Sequence, residues 1–195
     1  MALNPGALIA RVAQSIFVSL LSISLFYGIG RDQNKAQELV NSIFFTCIAQ
    51  LALYETATVM EFQTERNVFV RENASKLYTS FAYFSSKVAL ELPLLFVFPL
   101  LENVMIFWAI GYRDGSFWQF LLVYVLTAQI GTSIGYFISS IFDNMMSAAQ
   151  ITPFAVMPSV LFGGLIVNLD TLSSWISWFK WTSPTYFAFQ GLVWA

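Results

Sequence analysis

The stretch Gly115 to Phe142 reads GSFWQFLLVYVLTAQIGTSIGYFISSIF, twenty-eight residues without a charge. Such a run exceeds the roughly 20 helical residues that cross the ~30 Å hydrocarbon core of a bilayer. Moving outward, nineteen uncharged residues separate Arg11 from Arg31, and twenty-six more run from Asn144 to Leu169. Charged residues make up 10% of the 195 and hydrophobic ones 57%, against about 25% charged in soluble domains. This is the composition of an integral membrane protein. The runs lack the two-residue alternation of a membrane barrel and are too long for its ~10-residue strands. Helices are the other way to satisfy a backbone in lipid, so the fold class is all-α, a polytopic helical bundle.

Five spans are expected, at residues 8–29, 39–60, 79–110, 116–141 and 147–166. The first is read as a span and not a signal peptide, because it is long and Gly28 to Asp32 lacks a small-x-small cleavage pattern. The third is interrupted by Lys87, Glu91 and Glu102 and contains Pro93 and Pro99. It is expected to start as an interfacial segment and then bend inward. The fourth carries Thr127, Gly131, Gly135 and Ser139 at four-residue intervals, a small-residue stripe where another helix can approach closely. After the fifth span, Trp175, Trp178 and Trp181 predict a short helix over 171–181 lying in one leaflet, since tryptophan favours the lipid-water boundary. Counts of Lys and Arg on the two sides are nearly equal and leave orientation open.

The inventory excludes much chemistry. There is no histidine and one cysteine, Cys47, so a zinc site, a cysteine-histidine pair and an internal disulfide cannot be built. No glycine directly precedes a lysine, so the chain lacks a GxxxxGK[ST] phosphate loop. The net charge of −2 says nothing about partners, and there is no basic tract for nucleic acid. No catalytic and no metal-binding residue is assigned. Intramembrane acids are functional candidates by default, and Glu55 is the clearest. One reading pairs it with a neighbouring helix; the other makes it a proton or cation site. Lys87 and Glu91 are four apart, which predicts an ion pair on one helical face. A secondary transporter or channel using Glu55 and Glu91 with an ion gradient is therefore the alternative function.

Between the second and third runs lies Met60 to Tyr78, MEFQTERNVFVRENASKLY, which holds six of the chain's twenty charged residues. Residues 62–73 suit a short helix with Phe62 and Phe69 on one face, Val68 near them, and Glu65 and Glu72 flanking that face. Glu72 and Lys76 are spaced as a favourable i,i+4 pair.

The order ERNVFVRENASKLY, followed by AYFSSKVALELP, resembles the transmembrane domain of the ABC transporter G subfamily, the White and pleiotropic-drug-resistance group of exporters. Upstream, RVAQSIFVSLLSISLFY and NSIFF are similar to that family's first two spans. Downstream, FGGLIVNLDTLSSWISWFKWTSPTYFAFQGL looks like its fifth span and re-entrant turn. Nearly all 195 residues fall inside the resemblance.

The resemblance implies that the polar stretch is a coupling helix after span 2, docked on an ATPase domain through Glu65, Arg66, Val68, Phe69, Arg71 and Glu72. Where the family often has a proline before the glutamate, Gln63 and Thr64 stand here. It implies dimers, homo- or heterotypic, with a cavity between spans 2 and 5. That cavity would be lined here by Thr46, Gln50 and Leu53 facing Pro153, Met157 and Val160. Leu53, with Tyr54 beside it, occupies the family's aromatic-clamp position, and Leu165 and Ile166 match its apolar plug. ATP and magnesium are expected in the associated nucleotide-binding domain and none in this chain. That domain and a sixth span are expected outside residues 1–195, which would then be a fragment or one chain of a split system. The implied activity is export of lipid-like or hydrophobic solutes by alternating access, in the plasma membrane or an internal membrane.

Overall fold

The structure is a computed structural model and describes residues 5–29, 36–112, 117–167, 173 and 175–193. Five long helices follow one another: α1 (Pro5–Phe26), α2 (Ala36–Ala74), α3 (Ser80–Ile110), α4 (Phe117–Ile141) and α5 (Met145–Leu161). A 3-10 segment (Ser177–Thr182) and a last helix, α6 (Pro184–Val193), complete the described fold. Four of the helices are long and apolar enough to cross a membrane, and α5, at 17 residues, is shorter. The chain is a multi-pass membrane protein. Phe17, Trp108, Trp118, Phe137 and Phe154 project outward, each at least 65% exposed, as suits a bundle whose solvent is lipid.

Three expectations are corrected. The second span and the polar helix are one element: α2 runs 39 residues without a break, so no separate coupling helix follows it. The third span is likewise a single helix containing both prolines, with no detached interfacial portion. Lys87, Glu91 and Glu102 can lie within it because all three turn into the bundle. Of the short helix expected over 171–181, the described part is the 3-10 segment beginning at Ser177, while residues 171, 172 and 174 lie outside the described residues. Trp175, Trp178 and Trp181 are all more than half exposed, in keeping with an interfacial position.

The small-residue stripe of α4 is a packing seam. A Cβ on Gly131 would come within 2.7 Å of the Leu51 carbonyl oxygen, and one on Gly135 within 2.7 Å of the Glu55 carbonyl oxygen. The backbones of α2 and α4 therefore meet directly there, and apolar clusters above and below (Tyr54, Leu95, Phe98 and Ala128; Val59, Ile138 and Ala148) fill the rest. Glu55 lies in this seam, fully buried, with neither carboxylate oxygen hydrogen-bonded. The partner expected for it on a neighbouring helix is therefore not found among the described residues.

Local chemistry sets the helix ends. Thr79 accepts from the Ala82 N–H at 3.3 Å to start α3, and Asn144 accepts from the Met146 N–H at 3.1 Å to start α5. The end of α2 is a Schellman turn: Leu77 N–H donates to Glu72 O at 3.3 Å and Lys76 N–H to Asn73 O at 3.0 Å. Lys76 takes the left-handed position at φ 55°. It is therefore off the helix, and Glu72 bonds instead to the Tyr78 hydroxyl at 2.6 Å.

Candidate functional site

The last turns of α2 project past the seam and form one end of the bundle, its base, together with the start of α3 and the α4–α5 link. Positions 61 to 66 of α2 reach every neighbouring element there. Glu61 pairs with Arg11 of α1 at 2.6 Å. Gln63, 6% exposed, donates to the carbonyls of Ser139 (3.1 Å) and Phe142 (2.8 Å), closing the C-terminus of α4, whose last carbonyls have no helical donor. Glu65 accepts from Lys87 of α3 at 2.7 Å and from the Tyr83 hydroxyl at 3.3 Å. Arg66 pairs with Asp143 in the link between α4 and α5.

Lys87 is the hub. Its ammonium lies 3.7 Å from Glu91, as its spacing predicts, and over the rings of Phe62 (5.6 Å) and Tyr136 (6.0 Å). A buried ammonium requires such compensation, from carboxylates and from ring faces. Phe69 packs on Tyr83 with centroids 4.4 Å apart, and Tyr83 stacks on Tyr78 at 5.9 Å. The hydrogen bond to Glu72 holds the Tyr78 phenol up at about 12. A groove of about 820 Å³ opens between Val68, Phe69 and Glu72 of α2 and Tyr83, Ser86 and Leu90 of α3.

Of the expected coupling residues, Glu65, Arg66, Phe69 and Glu72 thus bind the bundle itself, whereas Val68 and Arg71 are exposed. Arg11, Glu61, Gln63, Lys87 and Asp143 complete the base and were not expected in it. Gln63, which stands near the family's proline position, acts as a C-terminal cap of a facing helix.

The expected cavity residues do not share one surface. Thr46 and Gln50 are each 1% exposed and turn into the bundle; the Thr46 hydroxyl donates to the Ile43 carbonyl at 2.9 Å. Leu53 and Val160 are half-buried, Pro153 is exposed, and Met157 is 59% exposed. Tyr54 also points inward, donating to Glu102 at 3.4 Å. Leu165 and Ile166 lie beyond the end of α5, which closes at Leu161 with the Phe162 N–H on the Pro158 carbonyl. The Ser159 carbonyl there accepts from the hydroxyls of Ser183 (3.2 Å) and Thr185, which fastens α6 to α5 just before those two residues.

Residues 1–195 match the family model described as ABC-2 type transporter. The chain belongs to the ABC-2 type transporter family. It is 32% identical over 185 residues to Protein white of Ceratitis capitata, covering 94% of this chain and 27% of that protein. It is 31% identical over 158 residues to the ABC transporter ATP-binding protein/permease wht-1 of Caenorhabditis elegans, covering 79% and 23%. Pleiotropic drug resistance protein 1 of Nicotiana tabacum is 25% identical over 195 residues, covering 97% and 14%. The chain thus spans about a quarter or less of these relatives. Within ABC-2 transporters it is the membrane domain, of the kind found in the White, G-family and pleiotropic-drug-resistance members.

Proposed function

We propose that this membrane domain exports a lipid-like or hydrophobic solute, driven by an ATP-hydrolysing domain that docks on the base. The observation that carries the reading is the fastening of α2 at positions 61, 63, 65 and 66 to α1, α3, α4 and the α4–α5 link. A push on the exposed end of α2 is shared among these helices instead of bending one of them. Val68, 44% exposed, and Arg71 offer the docking domain an apolar and a charged contact beside the aromatic groove.

ATP and magnesium would be held by that docking domain; the name of the C. elegans relative calls that protein an ATP-binding protein and permease. Two such membrane halves, alike or different, would enclose the solute path, with Pro153, Met157 and Val160 of α5 and Leu53 of α2 on its walls. Leu165 and Ile166 would close it at the far end. Alternating access follows if the path binds solute more tightly in one state than in the other. A gradient-driven carrier using Glu55 and Glu91 has less support, since Glu91 is committed to Lys87.

Reconstitution of the full-length protein in liposomes tests the proposal. Solute movement should require hydrolysable ATP in the absence of any proton or sodium gradient. Movement driven by such a gradient without ATP would reject it.

A further inference from the structure

Glu102 of α3 is 2% exposed and sits where four helices bring polar groups together. Tyr54 of α2 donates to its Oε1 at 3.4 Å. Ser15 of α1 and Gln50 of α2 are its other polar neighbours, and Tyr124 of α4 lies within its field. Asn103 beside it is 1% exposed. Glu102 Oε2, Gln50 Nε2, both amide atoms of Asn103 and the Tyr124 hydroxyl have no hydrogen-bond partner. Among the described residues no cation pairs with the carboxyl: Lys87 is bound to Glu65 and Glu91, and Arg11 to Glu61.

An unbalanced carboxylate at membrane depth is neutralised by a bound proton or a bound metal cation. A proton needs only the one carboxyl, whereas a tightly held metal ion would want further anionic ligands, and among the described residues no group of three acidic, histidine or cysteine side chains gathers here.

Two spaces with polar lining lie between this cluster and the base. A cavity of about 10 Å³, lined by Arg11, Gln14, Ser15, Tyr54 and Ala57, has room for about one water. Arg11, Gln14 and Ala57 also line a groove of about 320 Å³ that continues to Glu61, Thr64 and Glu65. The two spaces share a wall, and Arg11 at the junction is neutralised by Glu61.

We propose that Glu102 is a proton-binding site inside the bundle, exchanging its proton with water at the base through the junction between Arg11 and Ala57. The titratable groups that face it are Tyr54 from α2, which donates to it, and Tyr124 from α4, with Arg11 from α1 next to Tyr54; the Tyr124 hydroxyl would relay to water.

Infrared spectroscopy of the full-length protein in lipid nanodiscs, without nucleotide, tests this independently of ATP-driven transport. A protonated-carboxyl band should be present at neutral pH, vanish in Glu102→Gln, and fade as the pH is raised. Ala57→Leu, which fills the junction and leaves Glu102 in place, should keep the band and slow its hydrogen-deuterium exchange several-fold. The absence of a Glu102-dependent band at every pH would overturn the proposal, as would exchange in Ala57→Leu as fast as in the parent. Loss of the band on adding sodium or potassium, with choline inert, would identify a metal-cation site and overturn it too.

Discussion

The ammonium of Lys87 lies 2.7 Å from the carboxylate of Glu65, and this pair joins the projecting end of α2 to the first turns of α3. The Lys87 side chain is 5% exposed and the Glu65 side chain 36%, so water screens only one partner. Lys87→Met should lower stability by about 1–3 kcal/mol, less than the loss of a fully buried pair. The double variant Lys87→Met/Glu65→Gln should recover part of that loss, as read by thermal melts in a double-mutant cycle.

Arg66 and Asp143 make a contrasting case. Asp143 is 86% exposed at its side chain, so Arg66→Ala should change stability by less than about 1 kcal/mol. If the base transmits force, the same variant should still reduce ATP-dependent transport by the full-length protein. Unchanged transport would remove Arg66 from the coupling surface.

The seam between α2 and α4 predicts strong size dependence. Gly131→Ala and Gly135→Ala each place a Cβ 2.7 Å from a backbone oxygen, which only separation of the helices can relieve. Each should be destabilising by about 1–3 kcal/mol. Gly191→Ala, whose nearest neighbour would be a Val123 methyl at 3.6 Å, should melt like the parent.

Lys76 holds a left-handed backbone at φ 55°. Lys76→Gly should be tolerated or mildly stabilising, whereas the β-branched Lys76→Val should be destabilising by about 1–2 kcal/mol. Equal melting of the two would contradict the turn geometry.

Asn73-Ala74-Ser75 is the chain's one N-glycosylation sequon, at the end of α2. With the base in the cytosol it should carry no glycan in a eukaryotic host. A glycan on Asn73 would put the base on the opposite side of the membrane.

Much of this architecture was legible because charge is scarce. The runs flanked by Arg11, Arg31, Gly115 and Phe142 placed the ends of α1 and α4 within a few residues, and four-residue spacing exposed both the glycine seam and the Lys87–Glu91 pair. The direction in which a membrane helix turns was not legible. Core and lipid are equally apolar, so periodicity does not separate them, and Thr46 and Gln50 face inward where a shared cavity surface was expected. Contacts distant in sequence were also hidden: Arg11 and Glu61 are fifty positions apart, and no local pattern marks them as partners. Gln63 looked like a departure from a proline and proved to be a cap.

The continuity of α2 limits how this domain can move. A helix of 39 residues is roughly 58 Å long, so a tilt of one degree at one end displaces the other by about 1 Å. With no hinge between the membrane portion and the base, there is no backlash: small strokes arrive undiminished. A single flexible residue inserted near Thr64 would introduce slack and uncouple the two ends while leaving each one intact.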